Sequence, residues 1–157
     1  MSPADLPLVD LPAFLRASRG ERQPTVVVLG PPMCGKSNFA RALAANNGWR
    51  YLDVLTTLSD REDIVKKIDQ LDVYTLRQHI LDHLENSEVI LVDELDFLIP
   101  ICGDTKPFKE MVRTLTDPTH SVVFAFFLQT SHDWDDWNLL TASHQSRIFT
   151  FESIKPL

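Results

Sequence analysis

Residues 30–37 read Gly-Pro-Pro-Met-Cys-Gly-Lys-Ser and follow directly on the apolar run Val26-Val27-Val28-Leu29. This G-x-x-x-x-G-K-[ST] pattern lies between a strand-like run and a helix-forming stretch, the context in which it cradles phosphate. Each residue type has a task. Gly30 and Gly35 let backbone N–H groups turn inward onto phosphate oxygens, where a Cβ would obstruct. Lys36 supplies a mobile positive charge for β- and γ-phosphates, and the Ser37 hydroxyl suits Mg²⁺. A helix starting near Lys36 aims its positive end at the same anion. Pro31, Pro32, Met33, Cys34 and Asn38 complete the candidate binding segment.

A second constellation lies some sixty residues downstream. The apolar run 89–92 delivers Asp93 and Glu94 at its C-terminal end, the edge where ligands sit in open α/β sheets. Asp93 is placed to hold Mg²⁺ through its water shell, as the acidic partner of Ser37. Glu94, one residue on, points elsewhere and suits orienting or deprotonating an attacking water. Taken alone, an Asp-Glu pair at a strand end reads as a turn. The upstream loop turns it into a site.

The intervening pattern supplies the scaffold. Strands are expected at 25–29, 49–55, 89–92, 122–128 and 148–151, from continuous apolar or β-branched runs. Helices are expected at 37–45, closed by Asn46-Asn47-Gly48, and at 60–68, 75–85, 108–115 and 133–143. Asp117-Pro118 marks a turn. Strands alternating with helices imply crossovers and a doubly wound, five-stranded parallel α/β sheet. The proline-bearing residues 1–24 read as an irregular arm with a short helix at 12–18, leaving 25–157 as the nucleotide-binding domain.

With 157 residues, 44% apolar and 24% charged, the chain has the mass and composition of one soluble domain. Its net charge of −7 argues against an extensive nucleic-acid track. Arg16, Arg19 and Arg22 form a local basic cluster, but Glu21 among them makes a solvated mixed-charge linker the better reading. Two cysteines, Cys34 and Cys102, make no disulfide framework. The apolar run 122–128 is far short of a membrane span, and no signal-like N-terminus is present, so a cytoplasmic setting is expected.

The combination Gly30-Pro31-Pro32-x-x-Gly35-Lys36-Ser37 with Asp93-Glu94-Leu95-Asp96-x-Leu98 resembles the AAA+ branch of the P-loop ATPases over residues 25–152. The resemblance implies ATP and Mg²⁺ as cofactors. It also implies a polar sensor at the end of the fourth strand, where Thr130 is favoured and Gln129 comes next. Many relatives place an arginine before the fifth strand, and Ser146-Arg147-Ile148-Phe149 matches that position. Arg147 is then a finger reaching a neighbour's γ-phosphate, a sensor in cis, or a surface arginine capping the preceding helix. Met33 stands where the family usually has glycine. The helical lid that relatives carry after the fifth strand has no counterpart before Leu157, so a core lacking that lid is expected. A short arm, Gly48-Trp49-x-Tyr51 and Pro107-Phe108 also resemble the small ATP-binding component of bacterial phage-exclusion (BREX-type) defence systems.

Other residues have rival readings. Cys34 is a small residue fitting the turn rather than a redox switch. His79 and His83 have chelating spacing but no further ligands, so they read as an exposed polar face. Trp134, Trp137 and Leu140 read as core packing, with a partner-docking stripe as the alternative. The expected function is a slow Mg·ATP-dependent ATPase acting on a protein partner or by self-association. The rivals are an ATP-holding module without turnover and a small-molecule kinase. Lack of an Asn-Lys-x-Asp base-reading motif leans toward ATP over GTP.

Overall fold

The structure is a computed structural model that describes residues 7–21, 24–116 and 122–157. Five parallel strands, β1 (Thr25–Gly30), β2 (Arg50–Asp53), β3 (Val89–Asp93), β4 (Val123–Gln129) and β5 (Ile148–Thr150), form one sheet in the order β2-β3-β4-β1-β5. Buried on both faces, β1, β3 and β4 are continuously apolar. The chain leaves β1 for the far edge at β2, returns through β3 and β4, and then passes beyond β1 to β5. The order therefore reverses at β1 and β4, which opens a crevice at their C-terminal ends.

Helices cover both faces. On one, α1 (Leu11–Ala17) and α2 (Lys36–Asn47) pack Leu11, Leu15, Ala40 and Leu43 against Val26, Val28, Leu91 and Phe127. On the other, α3 (Val54–Ser59), α4 (Glu62–Val65), α5 (Val73–Asp82), α6 (Ile99–Cys102) and α7 (Thr105–Leu115) surround Val27, Ile90, Val92 and Phe126. No helix among the described residues is long and apolar enough to cross a membrane.

Several expectations need correction. Within the expected arm, the described residues 7–21 pack against the sheet domain. Val9 pairs with Ile154 in a parallel bridge, and Leu11 and Leu15 are wholly buried. β2 ends at Asp53, because that side chain accepts the Thr56 N–H at 2.9 Å and starts α3. The helix expected at 60–68 shrinks to the single turn α4 and a 3₁₀ turn (Ile68–Gln70). In α4 only Ile64 is buried, too little packing to sustain a longer helix.

Residues 133–143 form turns, not a helix. Asp133 Oδ1 takes the Asp135 N–H at 3.0 Å, and Asp136 has φ 63°, so the helical path is broken at once. Trp134 and Trp137 stack at 5.3 Å against the core, whereas Leu140 is exposed, so the proposed stripe does not exist. His79 is buried, at 4% exposure, and its Nε2 lies 2.9 Å from Thr57 Oγ1, tying α5 to α3. It is not part of an exposed polar face. Arg16 bonds Asn47 and Arg19 pairs with Glu88; Arg22 and the Asp117-Pro118 turn lie outside the described residues.

Candidate nucleotide-binding site

Strand register assembles the site. Gly30 pairs with Gln129, Asp93 with Phe127, and Asp53 with Asp93. β2 and β3 thus end level with each other, β1 and β4 run two residues further, and the loop after β1 opens across β4 from the acidic end of β3. The Thr130 N–H continues the ladder by donating to the Gly30 carbonyl at 3.1 Å.

The loop 31–35 leads into α2 through Gly35, whose φ of 97° is strained for any side chain bearing a Cβ. Gly30 is needed for a different reason. A Cβ there would stand 2.8 Å from Lys36 Cδ and 2.9 Å from Cys34 Sγ. Met33 keeps the path that glycine would take, at φ 60°, with its side chain fully exposed at the tip. That conformation costs a non-glycine residue ~1–2 kcal/mol. Pro31, Pro32 and Asn38 are also exposed, and Cys34 is half-buried with its sulfur 3.9 Å from Lys36 Nζ.

Lys36 is only 5% exposed. Its ammonium donates to the carbonyls of Gly30 (3.0 Å) and Pro31 (2.9 Å) and to Gln129 Oε1 (3.3 Å). A cation with three neutral acceptors and no carboxylate partner among these bonds retains its full charge for an incoming anion. Ser37 Oγ donates to Asp93 Oδ2 at 2.6 Å, bringing together the two groups expected at the metal. Asp93 is 3% exposed. Among the described residues no cluster of three or more His, Cys, Asp or Glu side chains could hold an ion by itself. A hydroxyl beside a carboxylate does fit Mg²⁺, which keeps its waters and takes few protein oxygens besides phosphates.

Glu94 leaves the strand with φ 58°, so its side chain departs from the Asp93 direction. It is half-buried. Burial, then the charges of Asp93, Asp53 and Asp96, push its carboxyl above the usual range, against a smaller downward pull from Lys36.

The two sensor candidates at the end of β4 have different surroundings. Thr130 is exposed, while Gln129 reaches Lys36 and is held at both ends of its peptide. Asp96 Oδ2 accepts its N–H at 2.6 Å, and Trp134 Nε1 donates to its carbonyl at 2.6 Å. In the sequence, Asp96 stands out only as the third acid of Asp93-Glu94-Leu95-Asp96.

Arg147 does not lie at the surface. It is 1% exposed, and its guanidinium donates to the Thr25 carbonyl at 2.8 Å and to Ser18 Oγ, above the Phe14 ring at 5.2 Å. Thr25 begins β1, so these contacts lie at the sheet edge opposite Gly30. The side chain ties α1 to the start of β1, a buried position that a surface cap does not have.

Tyr51 is the residue whose role at the site was missed. Its phenol donates to Asp93 Oδ2 at 2.7 Å. Burial first, then that hydrogen bond and the Asp93 charge, raise its pKa well above the ordinary phenol value, so it stays a donor. The period-two alternation of β2 was its available signal.

Fold and loop together define a P-loop nucleotide-binding α/β domain. The sequence matches the family described as "ATPase family associated with various cellular activities (AAA)" over residues 26–151, and the chain belongs to that family. Among curated proteins none matches. Domain III of the replication initiation protein DnaA from Thermotoga maritima is similar in structure, at 18% identity and a TM-score of 0.43. The match covers 74% of this chain and 48% of that one, so this chain spans about half the length of that structure.

Proposed function

We propose that the protein binds Mg·ATP and hydrolyses it slowly to ADP and phosphate, controlling the assembly or conformation of a larger complex. The observation that supports this most directly is Lys36, whose ammonium lies between the loop carbonyls and Gln129 while Ser37 and Asp93 meet beside it. In this reading the loop 30–37 and Asn38 hold the triphosphate. Lys36 moves from its carbonyl acceptors onto the β- and γ-phosphates, and Ser37 with Asp93 holds the ion. The ion, when bound, supplies charge neutralisation between phosphates. Glu94 orients and deprotonates the attacking water, and Gln129 donates its amide toward the γ-phosphate.

A second reading, an ATP-holding module with negligible turnover, is favoured by the burial of Arg147, which removes that residue as a source of transition-state charge. A small-molecule kinase is a weaker alternative. Action on a protein partner or by self-association in the cytoplasm belongs to this proposal. A phage-defence complex as the setting rests on the sequence resemblance alone.

Calorimetric titration of ATP, with and without Mg²⁺, is the first test. Wild type should bind and Lys36→Ala should not, while circular dichroism shows the variant folded. Unchanged affinity in a folded Lys36→Ala protein overturns the site. Single-turnover phosphate release then separates slow hydrolysis from mere holding, because only an ATPase slows on Glu94→Gln.

A further inference from the structure

Asp93 accepts three hydrogen bonds, one of them from Tyr51 on the neighbouring strand. Oδ2 accepts twice, from Ser37 Oγ at 2.6 Å and from Tyr51 Oη at 2.7 Å. Oδ1 accepts the Glu94 N–H at 3.0 Å. A carboxylate offers roughly four lone-pair positions. Three are taken, both of those on Oδ2 among them, so the open position is on Oδ1.

The phenol is held there by the fold. Tyr51 pairs with Leu91 in the β2–β3 ladder, and Asp53 pairs with Asp93. Alternation puts Tyr51, Leu91 and Asp93 on the face covered by α2. The ring packs in the cluster beneath that helix, and the Arg41 guanidinium from α2 sits 5.0 Å from its centroid. A ring held between a helix cation and a strand carboxylate has little freedom to swing away.

We propose that Tyr51 is a positioning residue that sets metal selectivity, by occupying Asp93 Oδ2 so that this carboxylate can engage a cation only at Oδ1 and never with both oxygens. This inference rests on the Mg·ATP reading given above. Mg²⁺ dehydrates reluctantly and accepts an outer-sphere carboxylate, whereas Ca²⁺ favours more, direct and often bidentate carboxylate oxygens. With Oδ2 blocked by a phenol, bidentate contact is closed. The site then discriminates by what the carboxylate has left to offer.

The test measures ATP affinity by calorimetry with Mg²⁺, with Ca²⁺ and with EDTA, for wild type and Tyr51→Phe, which keeps the ring over Arg41 and removes the hydroxyl. Wild type should bind ATP at least about tenfold more tightly with Mg²⁺ than with Ca²⁺, and Tyr51→Phe should reduce that preference about fivefold or more. Its affinity in EDTA should stay within about twofold of wild type, because no phosphate contact is lost. Equal loss under all three conditions, or an unchanged preference, makes Tyr51 merely structural and overturns the proposal while the nucleotide site stands. Wild type that takes Mg²⁺ and Ca²⁺ equally overturns it without recourse to a variant. Wild type that binds no ATP under any condition overturns the nucleotide reading, and this inference with it.

Discussion

Asp96 holds Gln129 by its backbone: Oδ2 of the buried carboxylate, just beyond β3, accepts the Gln129 N–H at the end of β4 at 2.6 Å. Trp134 completes the grip on the carbonyl side of the same residue. The Gln129 side chain is thereby directed at Lys36, between the loop and the acidic strand end.

Gln129→Ala should therefore slow ATP turnover by about ten- to a hundredfold and change ATP affinity by less than about threefold, as expected for a donor that acts on developing charge. Thr130→Ala should have almost no effect on either quantity. Asp96→Ala should resemble Gln129→Ala and also destabilise the fold by ~1–3 kcal/mol, since a backbone N–H loses its acceptor. Steady-state kinetics and urea melts of the three variants check this. A defect confined to Thr130→Ala would reverse the assignment.

Glu94→Gln should stop turnover while making the protein more stable near pH 7. The folded carboxyl titrates above its ordinary range, because of burial and then Asp93, Asp53 and Asp96. A carboxyl raised in the fold contributes stability that is present at low pH and lost as pH rises through its folded pKa. The thermal midpoint of Glu94→Gln should thus exceed wild type above that pKa, and the difference should vanish near pH 4, where even the unfolded carboxyl is about half protonated. For catalysis the sign is opposite. The base form exists only above the raised pKa, so the acid limb of the pH–rate profile should lie higher than for an ordinary glutamate.

Arg147→Ala should act on stability and not on chemistry. It removes the donor from the Thr25 carbonyl and from Ser18 Oγ, whose own bond to the Phe14 carbonyl remains, and opens space beside the Phe14 ring. A loss of ~2–4 kcal/mol is expected from these combined effects. Turnover per folded molecule should stay within about twofold of wild type. Mixing Arg147→Ala with Glu94→Gln protein should recover no hydrolysis. Recovery in the mixture would return Arg147 to a role across subunits.

His79 gives a pH-dependent stability of known sign. Burial, then the neighbouring His83 and Arg61, lower its pKa, with Asp82 opposing. The folded protein holds His79 neutral, while the unfolded chain takes up a proton below about pH 6.5. Stability should fall as pH drops through that value toward the lowered folded pKa. In His79→Gln, whose amide can still bond Thr57, this part of the acid sensitivity should disappear. Thermal melts at pH 7.5 and 5.5 provide the comparison.

The sequence by itself determined the strands and the chemistry local to one segment. Gly30, Gly35, Lys36 and Ser37 lie within a single turn-and-helix, and Asp93-Glu94 end a single strand, so spacing alone reports their geometry. Continuous apolar runs likewise announce buried strands, because burial on both faces leaves no room for polar residues. What only the tertiary structure decided is whatever depends on register or on competing local bonds. Gln129 bonds Lys36 because pairing with Gly30 brings it beside the loop that Lys36 closes. Tyr51 reaches Asp93 because β2 lies beside β3 in the sheet, an order that sequence spacing does not encode. Residues 133–143 carry helical spacing, yet aspartate side-chain bonds and the Trp134 anchor on Gln129 bend them into turns. Arg147 has the sequence position of a site arginine, but its side chain runs toward the start of β1, and that direction is set by packing against α1.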